Sequence, residues 1–599
     1  MIDFFDFSSG HFYIAIILSF LNAMLLCFEG YKFMQIIQLN GYHLTGYFNW
    51  LKNTREKYLS RIVMLCLLSL AGMIVTNVIF RIFATPLQYY LSYLGLLFYF
   101  LFSGMFLKVM YETPKKVPLK MTARMSRSMA VFFVLSVILT FALIMLSSMF
   151  TQVIRYSAIA LMPLLLPVLA PLSHLIMKPF EKGISKRYIK KAEAKLQSFP
   201  NLIKIGITGS FGKTTIKNAL ACILSEKYSV CKTPQNYNTP MGITKTVLEN
   251  LTITHQVFIA EMGARKNGEI DELCQIVKPT YGIVGTIGEQ HLQTFGSFEN
   301  IKRTKAELAK YVEKNGFCTF NADNEASNEI FVSHSGRKAK VSIENKNASV
   351  FASDIKTTQS GTDFVLHANN EEIKCSTKLL GLHNLSNILM CVPTALELGL
   401  TLEEIAVGIS KIMPVEHRLQ LINAPNDVII LDDTYNASID GSKWALEVMK
   451  MFEGYRKIVV TPGLVELGSL ERLANYEFGE NIAEAADYVI IVNKTNELAI
   501  KQGLIDKKFD ENNIKFAENT QKAQELLKTI IKPKDIILWE NDLPDNYTWK
   551  RAQYCALFHI TIKRSLYGKY CSHIWWKICW TRHINNNWSS SYGKPQWKI

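Results

Sequence analysis

A lysine and two threonines follow a glycine turn in residues 202–215, and groups of this kind can hold a phosphate. The stretch reads Leu-Ile-Lys-Ile-Gly-Ile-Thr-Gly-Ser-Phe-Gly-Lys-Thr-Thr. Glycine lets backbone N–H groups close around phosphate oxygens, and a helix that begins at Lys213 adds a partial positive charge. Lys213 would then reach the terminal phosphates, and the Thr214 hydroxyl would meet Mg²⁺. The spacing is tighter than in the common GxxxxGK[ST] loop, so a plain glycine turn between strand and helix is the alternative.

Three more groups follow at points where a sheet edge could gather them. Glu261 ends the apolar run 256–261, His291 comes after the run 282–287, and Lys305 lies at the expected start of a helix. Open α/β sheets bind ligands at the carboxyl ends of their strands, so these side chains could meet the phosphate loop. Each also has a structural explanation: a helix-cap carboxylate, a solvated loop histidine and a surface charge.

The elements that would position these groups alternate between strands and amphipathic helices from residue 201 onward. Apolar runs predict strands at 202–207, 256–261, 282–287, 428–432, 457–461 and 487–492. This alternation is typical of a parallel α/β sheet. A small antiparallel excursion is expected between 337 and 378, and a second α/β unit is expected after a boundary near Pro414.

The N-terminal part has a different pattern, with long apolar segments. Five segments are long enough to cross a bilayer, at 11–29, 62–80, 87–107, 128–150 and 157–177. Lysine and arginine are concentrated after the first, third and fifth, so the positive-inside rule places everything after residue 178 in the cytoplasm. The segments hold no charge away from their ends, which argues against a transport path. We therefore expect a five-helix transmembrane domain over residues 1–180.

The charge distribution argues against a nucleic-acid-binding protein, and the cysteine spacing argues against a disulfide or zinc framework. The net charge is +15, and residues 1–200 hold 20 lysines and arginines against 7 acidic residues. Because these basic residues flank the apolar segments, they fit loops that face an anionic leaflet, and no nucleic-acid partner is expected. The eleven cysteines form no CxxC pair, so reduced, structural thiols are expected.

Residues 546–599 are unlike the rest of the chain. They contain no Asp or Glu and six of the nine tryptophans, without periodicity. We interpret this stretch as an out-of-frame or read-through tail. The alternatives are a membrane-interface patch, which Trp and Lys would suit, and a metal cluster built from Cys571, His573, Cys579 and His583.

In this order the motifs resemble the Mur ligase family. The stretches that carry the resemblance span Thr208 to Thr215, Asn236 to Gly242, Glu261 to Ala264, His291 with Leu292, Lys305, Asn321 to Asp323, Gly381 to Asn387, and Pro414 to Arg418. Two later stretches, Asp432 to Ala437 and Glu466 to Gly468, are most similar to the branch of the family that adds D-alanyl-D-alanine. The resemblance covers residues 201–545.

This resemblance implies two domains and a reaction. A central α/β P-loop domain that binds ATP would occupy 201–412, and a Rossmann-like α/β C-terminal domain would occupy 413–545. ATP would phosphorylate a substrate carboxylate, and an amine would attack the acyl phosphate and release phosphate. Such phosphoryl transfer depends on positioning and charge neutralisation.

Roles follow from the matching motifs residue by residue. The catalytic set would be Lys213, Glu261, His291 and Lys305. Thr214 and Glu261 would bind one Mg²⁺ and His291 a second. The resemblance also implies that Lys305 is carbamylated, as the matching lysine of the family is, and the modification would remove a charge that repels the metal. The nucleotide contacts would be the phosphate-loop residues Gly209, Ser210, Phe211, Gly212, Lys213, Thr214 and Thr215, the adenine-facing Asn384 and Asn387, and Arg418 with Asp433 closing from the C-terminal domain. Tyr435 and Asn436 would contact the nucleotide or the amine.

The chain also departs from the family pattern. Membrane segments stand where soluble members carry the domain that holds the UDP sugar, Phe211 replaces a small or polar residue, and Pro462-Gly463-Leu464 replaces Gly-Asp-Met. The expected partners are therefore a UDP-linked or lipid-linked muropeptide, an amine such as D-alanyl-D-alanine, the bacterial cytoplasmic membrane and other cell-wall enzymes. Other cell-envelope peptides remain open as acceptors. A nucleotide-binding membrane scaffold without turnover is the alternative from another class.

Overall fold

The computed structural model describes residues 10–83, 96–105, 107, 119–147, 158–235, 237–290, 292–435, 438–465 and 467–541. They form two compact units that divide after residue 194. Several predicted features lie outside the described residues: Asn236, His291, Asn436, Glu466, residues 87–95 and 106 of the apolar segment 87–107, and the tail 546–599.

The N-terminal unit is built from long apolar helices. Their bounds are α1 Gly10–Glu29, α2 Tyr31–Leu39, α3 Leu44–Phe83, α4 Ala123–Ser147, the 3₁₀ helix Ala158–Leu165 and α5 Leu166–Gln197. Four stretches are long and apolar enough to cross a membrane, at Phe12–Glu29, Leu59–Thr76, Ala123–Leu146 and Ile159–Gln197. Each overlaps one of the five predicted segments. Of the third predicted segment, the described part holds the shorter apolar helix Leu96–Met105.

In this unit, large apolar side chains are exposed on the outside and a cluster of polar side chains is buried inside, as expected for helices in contact with lipid. Large apolar residues such as Leu67, Ile138 and Val168 expose more than half of their surface. Inside the bundle, the buried Asn22 donates to Thr140 Oγ1 at 2.9 Å and accepts from the Tyr99 hydroxyl at 2.7 Å. Exposed apolar surface and a hydrogen-bonded polar cluster between helices are both typical of helices packed in a bilayer.

The second unit begins with a nine-stranded sheet. Its strands are β1 Ile203–Thr208, β2 Val230–Lys232, β3 Val257–Glu261, β4 Tyr281–Val284, β5 Phe317–Asn321, β6 Arg337–Ser342, β7 Val350–Thr358, β8 Gly361–Ala368 and β9 Glu371–Thr377. Their order is β2-β3-β1-β4-β5-β6-β7-β8-β9, parallel from β2 to β7 and antiparallel from β7 to β9. The carboxyl ends of β1, β3 and β4 therefore lie together at one edge.

Helices cover this sheet and connect its strands. They are α6 Lys213–Leu224, α7 Pro240–Glu249, α8 Glu269–Val277, α9 Leu292–Phe295, α10 Phe298–Val312, α11 Glu325–Ser333, α12 Leu382–Leu389, α13 Val392–Glu397 and α14 Leu402–Ser410. The helix predicted to begin at Lys213 is confirmed as α6, and its residues Ile216, Leu220 and Ile223 are fully buried. Their burial holds the start of α6 against the end of β1.

A six-stranded sheet follows in the same unit. Its strands are β10 Gln420–Ala424, β11 Val428–Asp433, β12 Arg456–Thr461, β13 Tyr488–Val492, β14 Ile514–Ala517 and β15 Asp535–Glu540, in the order β10-β11-β15-β12-β13-β14. Its helices are α15 Ile439–Lys450, α16 Glu471–Ala485, α17 Glu497–Asp506 and α18 Thr520–Ile530, with short 3₁₀ helices at Gly468–Leu470 and Glu511–Asn513. Only β10 pairs antiparallel, with β11.

One local prediction was confirmed in part and another was wrong. The antiparallel excursion expected at 337–378 is present as the hairpins of β7 to β9, which extend the main sheet, but β6 pairs parallel with β5. Lys305 does not lie at the start of a helix: α10 begins at Phe298, where Ser297 accepts a capping hydrogen bond from the Asn300 amide at 3.3 Å. Lys305 is thus two turns inside α10. The predicted parallel α/β architecture is confirmed.

Candidate active site

The loop between β1 and α6 needs its glycines. Gly209 and Gly212 have φ values of +150° and +76°, which side-chain-bearing residues rarely adopt. A Cβ on Gly212 would lie 2.1 Å from Oδ1 of Asn387, so α12 packs directly on the loop. The first N–H groups of α6 have no partners within the helix and form the positive end of its dipole. The loop can therefore bind an anion.

The segment after β4 braces this loop. The amides of Ser210 and Phe211 donate to the Thr286 carbonyl at 2.8 and 3.3 Å, and the Ser210 hydroxyl donates to the Gly288 carbonyl at 2.9 Å. A Cβ on Gly288 would lie 2.5 Å from the ring of Phe211. Gly288 thus makes room for an aromatic residue at position 211, which explains how the loop accommodates its unusual side chain.

Lys213 holds the loop through its ammonium group. Its Nζ donates to the carbonyls of Gly209 and Ser210, at 2.8 Å each. Burial lowers the pKa of Lys213 to about 8, with Glu261 opposing and Arg418 adding to the shift. A bound phosphate would offer this ammonium a charged acceptor, which is stronger than a carbonyl.

Glu261 lies at the end of β3 and is 1% exposed. Thr214 donates its hydroxyl to Oε2 at 3.1 Å, and Lys217 donates to the same oxygen at 2.9 Å. Asn238 donates its amide to Oε1 at 3.1 Å. Burial alone would raise the pKa of Glu261, but the charges of Lys217 and Lys213 hold it below its ordinary value. The carboxylate is therefore ionised beside the phosphate loop.

The two residues predicted to share a Mg²⁺ are thus neighbours. Thr214 keeps its lone pairs while it donates its hydrogen to Glu261, and a hydroxyl with one carboxylate suits Mg²⁺, which fills its octahedron with water and phosphate oxygens. In the described part of the chain, no group of three or more His, Cys, Asp or Glu could hold a metal unaided. The residues fit a magnesium ion that arrives with a nucleotide. His291 lies outside the described residues, so its second metal remains a prediction.

Lys305 is 3% exposed on α10. Burial lowers its pKa well below the ordinary lysine value, and the nearby positive charge of Lys213 lowers it further, while Glu307 and Glu269 oppose this. Burial therefore favours the uncharged form of this amine. A neutral amine is the form that reacts with carbon dioxide.

The two asparagines of α12 lie one turn apart. Asn384 is 7% exposed and donates to the Leu380 carbonyl at 2.8 Å, while Asn387 is 8% exposed and lies against Gly212. Because they are three positions apart on a helix, they share a face. The structure places Asn387 at the phosphate loop, and the adenine contacts of both residues remain predictions.

Arg418 comes from the segment before β10, where the backbone is strained. Its neighbours His417 and Leu419 both have left-handed conformations, with φ of +62° and +46°. The guanidinium lies 4.3 Å from the ring centroid of Tyr435, and the Leu419 amide donates to Asp433 Oδ1 at 3.1 Å. Arg418 lowers the pKa of both Lys213 and Asp433, so its charge lies near the phosphate loop and near the edge of the second sheet.

A second carboxyl lies beside Asp433. Glu540 is its register partner on β15, is fully buried, and has no hydrogen-bond partner among the described residues. Burial raises the pKa of Asp433 to about 6, with Arg418 opposing. Burial and the charge of Asp433 raise the pKa of Glu540 well above its ordinary value. Sequence reasoning did not identify Glu540.

Three other site residues were also missed. Lys217, Asn238 and His417 had no assigned role, although the last two fall inside motifs used for the resemblance. The sequence shows only that Lys217 lies four residues after Lys213, and this spacing does not reveal that its side chain is buried. His417 Nδ1 lies 2.7 Å from Oδ2 of the buried Asp432, which orients the segment that carries Arg418.

Sequence comparisons agree with this geometry. The profile of the Mur ligase middle domain matches residues 207–395, and that of the Mur ligase glutamate ligase domain matches residues 417–540. Two relatives from Buchnera aphidicola are both named UDP-N-acetylmuramoyl-tripeptide–D-alanyl-D-alanine ligase. The one from subspecies Baizongia pistaciae is 32% identical over 282 residues, 47% of this chain and 61% of that protein. The one from subspecies Acyrthosiphon pisum is 30% identical over 361 residues, 58% of this chain and 74% of that protein.

A solved structure shows the same architecture. The crystal structure of MurF from Acinetobacter baumannii superposes with a TM-score of 0.56 at 25% identity, covering 63% of this chain and 80% of that one. The chain spans about three fifths of the length of the first of the curated relatives. The two matched family domains, residues 207–395 and 417–540, contain the phosphate loop and most of both sheets.

Proposed function

Because the chain belongs to the Mur ligase family, we propose that it is an ATP-dependent, ADP-forming ligase that joins a carboxylate to an amine through an acyl phosphate. The observation that carries this proposal is the convergence of Lys213, Thr214 and Glu261 at the carboxyl edge of the first sheet. A phosphate loop, a site for a cation and a buried carboxylate are the groups that phosphoryl transfer requires.

Each group in the site has a role in this reaction. The α6 N-terminus and Lys213 would bind the β and γ phosphates of ATP and stabilise the charge that shifts during transfer. Thr214 and Glu261 would hold Mg²⁺, which neutralises phosphate charge. Arg418 would bring a second positive charge from the other sheet once nucleotide is bound. The substrate carboxylate attacks the γ phosphorus, ADP leaves, and the amine then displaces phosphate from the acyl phosphate with loss of a proton.

Lys305 would act after modification. Burial lowers the pKa of this lysine and so favours its neutral form, which can add to carbon dioxide to form a carbamate and release one proton. The product is an anion in place of a cation, and it would attract the second Mg²⁺ that His291 is predicted to bind. Carbamylation would therefore convert a group that repels metal into one that supports its binding.

The simplest substrates are those named for the relatives. The acid would be UDP-N-acetylmuramoyl-tripeptide and the amine D-alanyl-D-alanine. A lipid-linked muropeptide is the competing acceptor, because apolar helices precede the ligase part of this chain. We place the ligase part on the cytoplasmic side of the bacterial cytoplasmic membrane, since the basic residues flank the apolar segments on that side.

The test uses the full chain in detergent micelles. Phosphate release and a new amide product are measured with UDP-muramoyl tripeptide and D-alanyl-D-alanine, separately and together. Turnover only when both are present supports the proposed reaction with the soluble precursor. Turnover only when the tripeptide is supplied on a lipid carrier would assign the acceptor to the membrane. ATP hydrolysis that never depends on the amine would overturn the ligase assignment.

A further inference from the structure

Lys217 is a charged residue on the face of α6 that packs against the protein core. It lies on α6, one turn after Lys213, and is 1% exposed. Its Nζ donates to Glu261 Oε2 at 2.9 Å and also to the backbone carbonyl of Gln235. The Lys217 ammonium is therefore buried and bonded to groups inside the protein, whereas the Lys213 ammonium donates to carbonyls of the phosphate loop.

The hydrogen bonds of Glu261 leave one position open. Oε2 accepts from both Lys217 and Thr214, while Oε1 accepts from Asn238 alone among the described residues. Each carboxylate oxygen offers two lone pairs. Oε1 therefore has a lone pair without a hydrogen bond from the described residues, whereas both lone pairs of Oε2 accept hydrogen bonds.

The second contact of Lys217 reaches a strained loop. Gln235 has φ +43°, an uncommon conformation for a residue with a side chain. The same segment carries Asn238, which donates to the other oxygen of Glu261. Lys217 thus joins the end of β3 to the segment between β2 and α7 through one ammonium group.

We propose that Lys217 is a positioning residue of the metal site, which fills Oε2 of Glu261 and so directs Oε1 to the cation that accompanies the nucleotide. This inference rests on the proposed nucleotide site and names a residue that the reaction scheme does not use. Removal of the ammonium would leave a buried carboxylate without its ion pair and release the segment that carries Asn238. Release of this segment would leave the carboxylate free to rotate and so weaken metal binding, and we expect this to outweigh the loss of a charge that repels the cation.

The test measures metal binding without turnover. Lys217→Met in the full chain in detergent is compared with wild type for Mn²⁺ binding in the presence of ADP, from the electron paramagnetic resonance signal of free Mn²⁺. We expect the Mn²⁺ dissociation constant to rise at least about tenfold, in the range for residues that orient metal ligands. Affinity for ADP in EDTA should change less than threefold, whereas general damage to the site would weaken both.

Lys232→Met is the matched control. Lys232 lies on β2 close to Lys217, but its Nζ donates to Asn218 Oδ1 at 2.7 Å and not to Glu261. This variant should bind Mn²⁺ as wild type does. Because acid and amine are absent, failure of the ligase reaction would not affect the measurement.

Unchanged or tighter Mn²⁺ binding by folded Lys217→Met would overturn the proposal. If Lys217→Met does not fold, Lys217→Met combined with Glu261→Gln decides, because it removes both charges. Recovery of folding in the double variant would support the pairing. An unfolded double variant would show that Lys217 only fills a core position, and the proposal would fail.

Discussion

Glu540 and Asp433 lie side by side on the parallel strands β15 and β11, and the Glu540 carboxyl is fully buried. A buried acid beside another acid favours the protonated form. Glu540 therefore contributes stability while it is protonated, and that contribution is lost as pH rises through its raised pKa. Asp433 behaves likewise between its ordinary 3.8 and about 6.

Glu540→Gln should remove part of this pH dependence. Glutamine keeps the shape of the neutral acid and cannot ionise, so the variant should lose less stability than wild type as pH rises. The thermal midpoint of the full chain in detergent, measured from pH 4 to 9, checks this. Asp433→Asn should remove the lower part of the decline, around pH 4 to 6. Equal slopes for Glu540→Gln and wild type would contradict the assignment.

Gly212→Ala should disrupt the phosphate loop. The added Cβ would meet Asn387 Oδ1 at 2.1 Å in a backbone conformation that alanine disfavours. We expect backbone strain alone to lower the free energy of unfolding by about 1–3 kcal/mol, and the clash to weaken ADP binding. Gly268→Ala is the matched control, because Gly268 has φ +86° and nothing within 4 Å of its Cβ position. Gly268→Ala should lose stability through backbone strain but bind ADP as wild type does. ADP affinity that is equal in the two variants would show that Asn387 does not constrain the loop.

Lys213→Ala should abolish ATP turnover. The ammonium that stabilises both the loop carbonyls and the transferred phosphate would be lost, at a cost of about 10²–10³-fold in rate or more. Phosphate release with both substrates measures the effect, and Lys232→Ala controls for the loss of a nearby cation. Normal turnover by Lys213→Ala would contradict the proposed phosphate site.

Lys305→Ala should be inactive but partly rescued by a short-chain carboxylic acid. The acid would supply the anion that the carbamate provides, so formate or acetate should restore a measurable part of the rate. Wild type should gain nothing from the same addition. Normal activity of the unrescued variant would remove the carbamate from the mechanism.

The local parts of this site were predictable and the non-local parts were not. The phosphate loop and Glu261 could be predicted because glycine spacing and strand ends are recognised from short, contiguous stretches of sequence. Lys305 was misplaced within its helix because the cap at Ser297 was overlooked. Glu540 was missed because its position depends on β15 inserting between β11 and β12, a strand order that no local pattern shows. Lys217 was missed because a helical lysine is normally solvated, and only the packed structure shows its carboxylate.

The most direct test of the central claim follows oxygen rather than product. The acid substrate is prepared with ¹⁸O in the carboxylate that forms the amide, and the phosphate released during turnover is analysed by mass spectrometry. An acyl phosphate transfers one carboxylate oxygen to phosphate, so the account predicts one ¹⁸O in each phosphate for each amide formed. Unlabelled phosphate alongside amide formation would contradict it.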